Sequence, residues 1–202
     1  MDLEGRFVSE LGRFPGAELD ITVIPLPDGE TSMTADLIPF AKLPSVAVGR
    51  ELFFVGTKET WEIKGVEPDG ELAIILRWDR EPTPVRRSHI DALIQREVSD
   101  SGDPEREPEI RRKYAEIYIP ETLPAFSSLK VAPSGDVWVQ RYRTPGNTAR
   151  VHDVFDLDGP WIATVSLPSG NRLLQVGGDF VLTLHEDELG VETVRKYGLD
   201  RG

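Results

Sequence analysis

Apolar and polar positions alternate with a period of two along most of this chain, in short runs broken by Gly, Pro, Asp and Ser. That pattern predicts short β-strands joined by tight turns. The clearest instance is Val154-Phe155-Asp156-Leu157-Asp158-Gly159-Pro160-Trp161-Ile162-Ala163-Thr164-Val165: a strand, an acidic turn ending in Gly, and a second strand. The same hairpin recurs at Gly65-Val66-Glu67-Pro68-Asp69-Gly70-Glu71-Leu72-Ala73-Ile74-Ile75-Leu76, and a shortened copy opens the chain at Met1-Asp2-Leu3-Glu4-Gly5. One hairpin in several copies predicts a repeat architecture.

Taken in order, residues 6–13 predict a strand whose partner must be distant in sequence. Leu19–Ile24 predicts another, followed by loop punctuation at Pro25, Pro27, Asp28 and Gly29. Residues 33–42 have room for a short turn of helix. Residues 44–79 predict four antiparallel strands, at 45–48, 51–56, 61–66 and 72–78. Residues 125–167 repeat that meander. Residues 171–199 begin it a third time and lack the outer strand. Between the first two copies, residues 80–120 change period. Ile90, Leu93, Ile94 and Val98 recur at helical spacing, with Ser88 as the expected N-cap and Asp91 three residues on. Pro108–Ile117 predicts a second, highly charged helix.

The second strand of each copy is apolar on both faces: Leu52-Phe53-Phe54-Val55, Val137-Trp138-Val139 and Phe180-Val181-Leu182. A sheet with one wet face would alternate, whereas a sheet sandwiched between others does not. Four strands in roughly 40 residues is the size of a β-propeller blade. The expected fold is therefore all-β: three four-stranded antiparallel blades in a single half-propeller domain spanning 1–202, with a small helical insertion. The strand in residues 1–13 is expected to close the last blade. Three blades are too few for a ring. Two chains exchanging that strand would make a six-bladed homodimer; a fragment of a longer six-bladed protein is the other reading.

Several stretches resemble the bacterial six-bladed β-propeller proteins of the NHL-like group. They are Leu52–Thr57, Trp61–Ile63, Val66–Leu72 with Arg77, Pro120–Phe126, Gly135–Val139, Val154–Gly159 and Leu182–Glu192. The similarity is to the C-terminal half of such a protein. It implies the propeller fold and, since members are often exported, an extracytoplasmic setting for relatives. It implies no particular activity, because propellers host many functions.

Composition narrows the partners. A formal net charge of −12 argues against nucleic acid and against anionic membrane surfaces. The absence of cysteine excludes disulfides, thiolate catalysis and Cys-type zinc sites. No apolar run is long enough for a transmembrane helix. Met1–Gly5 has neither the basic nor the apolar region of a signal peptide, so the chain reads as cytoplasmic as written, with the native compartment open.

Candidate chemistry is sparse. His185, Glu186, Asp187 and Glu188 form the densest set of potential metal ligands. Consecutive residues at a strand end point to opposite sides, so few of them would converge on one ion. The acidic turns lack the ligand spacing of a calcium loop and read as turn chemistry. His152 and Asp153 are neighbours on a strand and should face opposite ways, which argues against a hydrolytic triad. Trp61, Trp78, Trp138 and Trp161 are expected to pack between blades. Glu62 and Arg77 suit either a register-fixing pair or a ligand contact. No catalytic residue, metal or cofactor is assigned. The function read from the sequence is a non-enzymatic interaction or ligand-binding module, with an unknown protein or small molecule as ligand. A metal-dependent propeller hydrolase or lactonase is the alternative.

Overall fold

A computed structural model of the chain describes residue 7 and residues 10–200. The strands are β1 (Leu19–Pro25), β2 (Thr31–Leu37), β3 (Ser45–Val48), β4 (Phe53–Gly56), β5 (Glu62–Val66), β6 (Leu72–Arg77), β7 (Phe126–Val131), β8 (Val137–Arg141), β9 (Arg150–Phe155), β10 (Trp161–Leu167), β11 (Asn171–Val176), β12 (Phe180–Glu186) and β13 (Glu192–Gly198). Helices α1 (Arg87–Ser101) and α2 (Glu107–Glu116) lie between β6 and β7. The strands form antiparallel sheets in simple sequence order: β1-β2, β3-β4-β5-β6, β7-β8-β9-β10 and β11-β12-β13. The all-β class and the helical insertion hold.

Alternation explains how the sheets stack. In the middle sheet, Val137, Val139 and Phe155 point to one side and join Phe54, Ile63 and Leu76 of the sheet before it. Trp138 and Val154 point to the other side and join Leu173, Val176 and Val181 of the sheet after it. The middle sheet is thus buried on both faces, as its doubly apolar β8 requires. The leading strands adjoin, β3 beside β7 and β7 beside β11. The seam between the first two sheets is close: a Cβ on Gly56 would lie 2.5 Å from the Phe126 ring.

The acidic turns are built by local chemistry. Asp156 Oδ1 accepts from the Asp158 N–H at 3.0 Å and Asp69 Oδ1 from the Glu71 N–H at 3.0 Å. Gly70 and Gly159 follow with φ of 96° and 99°, a region that L side chains avoid.

Three expectations change. Residues 33–42 hold no helix: Thr31–Leu37 is β2, because Met33, Ala35 and Leu37 alternate with polar residues and pair with Val23, Ile21 and Leu19. The N-cap of α1 is Arg86, not Ser88, and the Arg86 N–H is taken by His89 Nδ1 at 3.1 Å. His89 itself is half-buried, edge-on to Phe40 at 6.4 Å between ring centroids. The strand expected over residues 6–13 falls largely outside the described residues, and its described end, residues 10–13, is not in a strand. Among the described residues no fourth strand flanks β13. No described helix is long and apolar enough to cross a membrane.

Candidate functional site: a tryptophan–arginine cleft between two sheets

Glu62 and Arg77 are directly paired across β5 and β6 and joined side chain to side chain. The residues just beyond them, Trp61 and Trp78, therefore meet at one end of the first sheet, with ring centroids 5.1 Å apart. Phe155 of the middle sheet continues the stack, 4.6 Å from Trp78. The chain then turns, and Arg80 folds back so that its guanidinium lies 5.0 Å from the Trp61 ring centre. Such cation–π placement adds on the order of 1 kcal/mol.

Arg80 also reaches across to the middle sheet. Its Nη1 is 3.2 Å from Asp153 Oδ2, and the Asp153 side chain is 0% exposed. Arg141 holds the same carboxylate in a fork, Nε to Oδ2 at 2.9 Å and Nη2 to Oδ1 at 2.7 Å. The Thr164 hydroxyl donates to Oδ1 at 3.0 Å. Burial alone would raise the pKa of Asp153, but the bonds from Arg141 and Thr164 and the charge of Arg80 outweigh it and hold the group below the usual carboxylate range. The bond to Asp153 raises Arg141 in turn. One buried negative charge thus fixes two guanidiniums, whose side chains remain 35% and 40% exposed for Arg80 and Arg141.

Two hollows flank Trp61. One, of about 560 Å³, is lined by Trp61, Trp78, Glu62, Arg77, Asp79, Arg80 and Pro82. The other, of about 160 Å³, is lined by Trp61, Leu123, Pro124, Arg141, Tyr142 and Thr144. The helical insertion forms part of this wall, because its ends are tied together: the Leu123 N–H donates to Thr83 O at 2.9 Å and the Val85 N–H to Glu121 O at 2.8 Å. The indole N–H groups of Trp61 and Trp78 are buried without a hydrogen-bond partner.

The other seam holds His152. It is 2% exposed, its Nδ1 has no partner, and its ring lies 6.1 Å from Trp138. Burial, with the nearby charges of Arg150 and Lys130, pushes its pKa down to about 4. His152 and Asp153 do face opposite ways.

The sequence-derived metal candidates are placed separately. His185 Nδ1 is 3.4 Å from Asn171 Nδ2, and Asn171 Oδ1 accepts from the Thr183 hydroxyl at 2.7 Å. Asp187 Oδ1 accepts from the Leu189 and Val191 N–H groups, both at 2.9 Å, and so serves its own turn. Glu186 and Glu188 are exposed. Among the described residues no three His, Asp or Glu side chains gather as a metal-ion site. Of the four tryptophans, Trp61, Trp78 and Trp138 pack in the seams, and Trp161 is exposed. Glu62 and Arg77 form a solvent-facing cross-strand pair. Arg80 and Arg141 were not foreseen as site residues; the available signal was the pair of tryptophans at matching ends of two adjacent strands.

No protein-family model matches this chain, and no curated protein is similar enough to it to count as a relative.

Proposed function

We propose that the protein is a non-enzymatic β-propeller-type interaction module that completes its sheet stack with a second copy of itself. The observation that carries this reading is that both end sheets leave apolar residues exposed. On the first sheet Val46 and Val48 are 61% and 66% exposed, with Ile75 on the same face. On the third sheet Val194 is 60% exposed beside half-buried Leu182 and Leu184, on a face shared with Arg172, Gln175 and Lys196. Apolar side chains left exposed on the outer sheets are where an interaction surface is expected.

The two faces fit one arrangement. The first sheet of one copy stacks on the third sheet of the other, and a two-fold axis repeats the contact, giving a closed ring of six sheets with isologous halves. In such a ring the partner covers the open edge of β13. The β1-β2 hairpin supports association too. It is exposed along nearly its whole length, and a lone two-stranded hairpin is marginal in water. Its Asp20 and Asp36 are directly opposite, a like-charge pair that weakens it further.

A charge placed on one face tests the arrangement. Val48→Lys should convert the dimer to a folded monomer in sedimentation velocity. A dimer of unchanged affinity in that variant would exclude this face from the interface.

A further inference from the structure

We propose that the tryptophan–arginine cleft is a binding site for a small planar carboxylate, an aromatic acid being the simplest member of the class. This inference concerns the seam inside one chain and does not depend on how copies associate.

The argument starts from the donor count around Asp153. A buried carboxylate needs one guanidinium to balance its charge, and Arg141 already supplies a fork. Arg80 adds a second positive charge at the same point. The cluster of Arg80, Arg141 and Asp153 therefore carries a surplus of one positive charge. Asp153 accepts from Arg141 and Thr164, and Arg80 Nη1 lies 3.2 Å from it as an ion pair. Each arginine keeps donors to spare: Arg80 places one terminal nitrogen against Asp153, and among the described residues the second terminal nitrogen of Arg141 has no acceptor.

These donors are pre-positioned. Asp153 fixes Arg80 and Arg141, and Trp61 stacks against Arg80, so little side-chain freedom remains to be lost on binding. Guanidinium groups match carboxylates through paired N–H donors. The cleft wall supplies the second half of the recognition. Trp61 and Trp78 provide flat apolar surface, and a space of about 560 Å³ lies in the range of small-molecule sites. Glu62 and Asp79 also line the hollow; Glu62 is tied to Arg77 and faces Lys64, and Asp79 is exposed.

Benzoate is the probe, with benzamide as the neutral isostere and acetate as the charge without a ring. Isothermal titration calorimetry on the full chain should show saturable benzoate binding at least about tenfold tighter than either control. In two-dimensional NMR of the indole N–H groups, benzoate should shift Trp61 and Trp78 and leave the exposed Trp161 unmoved. Arg80→Gln should weaken benzoate by about tenfold or more with the fold retained. The site is refuted if benzoate does not saturate, if benzamide binds equally well, or if only Trp161 responds. Because the NMR arm uses the unaltered protein, a destabilised variant does not blunt the test.

Discussion

His152 and Asp153 are consecutive residues of β9, both buried, and they belong to different seams. Asp153 joins the middle sheet to the first through Arg80, and His152 lies against Trp138 on the side of the third sheet. A two-residue period in one strand thus places the ion cluster on one side of the middle sheet and the neutral imidazole on the other. The two seams consequently respond to different perturbations.

The ion cluster should respond unequally to loss of its members. Arg141→Met leaves a fully buried carboxylate with Arg80 as its remaining cation, and is expected to destabilise by about 3 kcal/mol or more. Asp153→Asn leaves two guanidiniums that reach solvent, and should cost only about 1–2 kcal/mol. Urea denaturation of the two variants checks the order. Equal losses would mean that the arginines, not the carboxylate, carry the desolvation cost.

His152 makes stability depend on pH. Its pKa falls from 6.5 to about 4 on folding, so the unfolded chain binds the proton more readily. The stabilisation is whole above pH 6.5 and is withdrawn as pH falls toward 4, by up to about 3 kcal/mol. Asp153, held below the usual carboxylate range, adds a loss only at lower pH. Thermal melts of the unaltered protein and of His152→Leu between pH 7 and pH 4.5 separate the two groups, since the variant should show a flatter profile across that window.

The close seam between the first two sheets leaves no space for a methyl group at Gly56. Gly56→Ala should force the Phe126 ring aside and cost about 1–3 kcal/mol. A change within about 0.5 kcal/mol would show that the sheets separate easily there.

Strand positions were legible wherever alternation met apolar residues, as in β9, whose end at Phe155 matches the first strand of the hairpin read at Val154–Val165. β2 was not, although Met33, Ala35 and Leu37 alternate with polar residues, because the loop punctuation at Pro25, Pro27, Asp28 and Gly29 precedes it and the stretch reads as a turn of helix. The cap of α1 was missed because the cap residue is an arginine and a histidine at the third helical position takes the N-cap backbone N–H normally met there by Glu or Gln. The opposition of His152 and Asp153 followed from strand geometry alone. The cluster of Arg80, Arg141 and Asp153 did not, because it depends on which sheet stacks on which, and no local pattern carries that information.

The central claim is that this stack of sheets is completed by a second copy. The most direct measurement is the solution mass by multi-angle light scattering on the full chain. The account predicts twice the chain mass of 22.5 kDa, lowered to a single chain by Val48→Lys. A well-folded particle of one chain mass in the unaltered protein, stable on dilution, would contradict it.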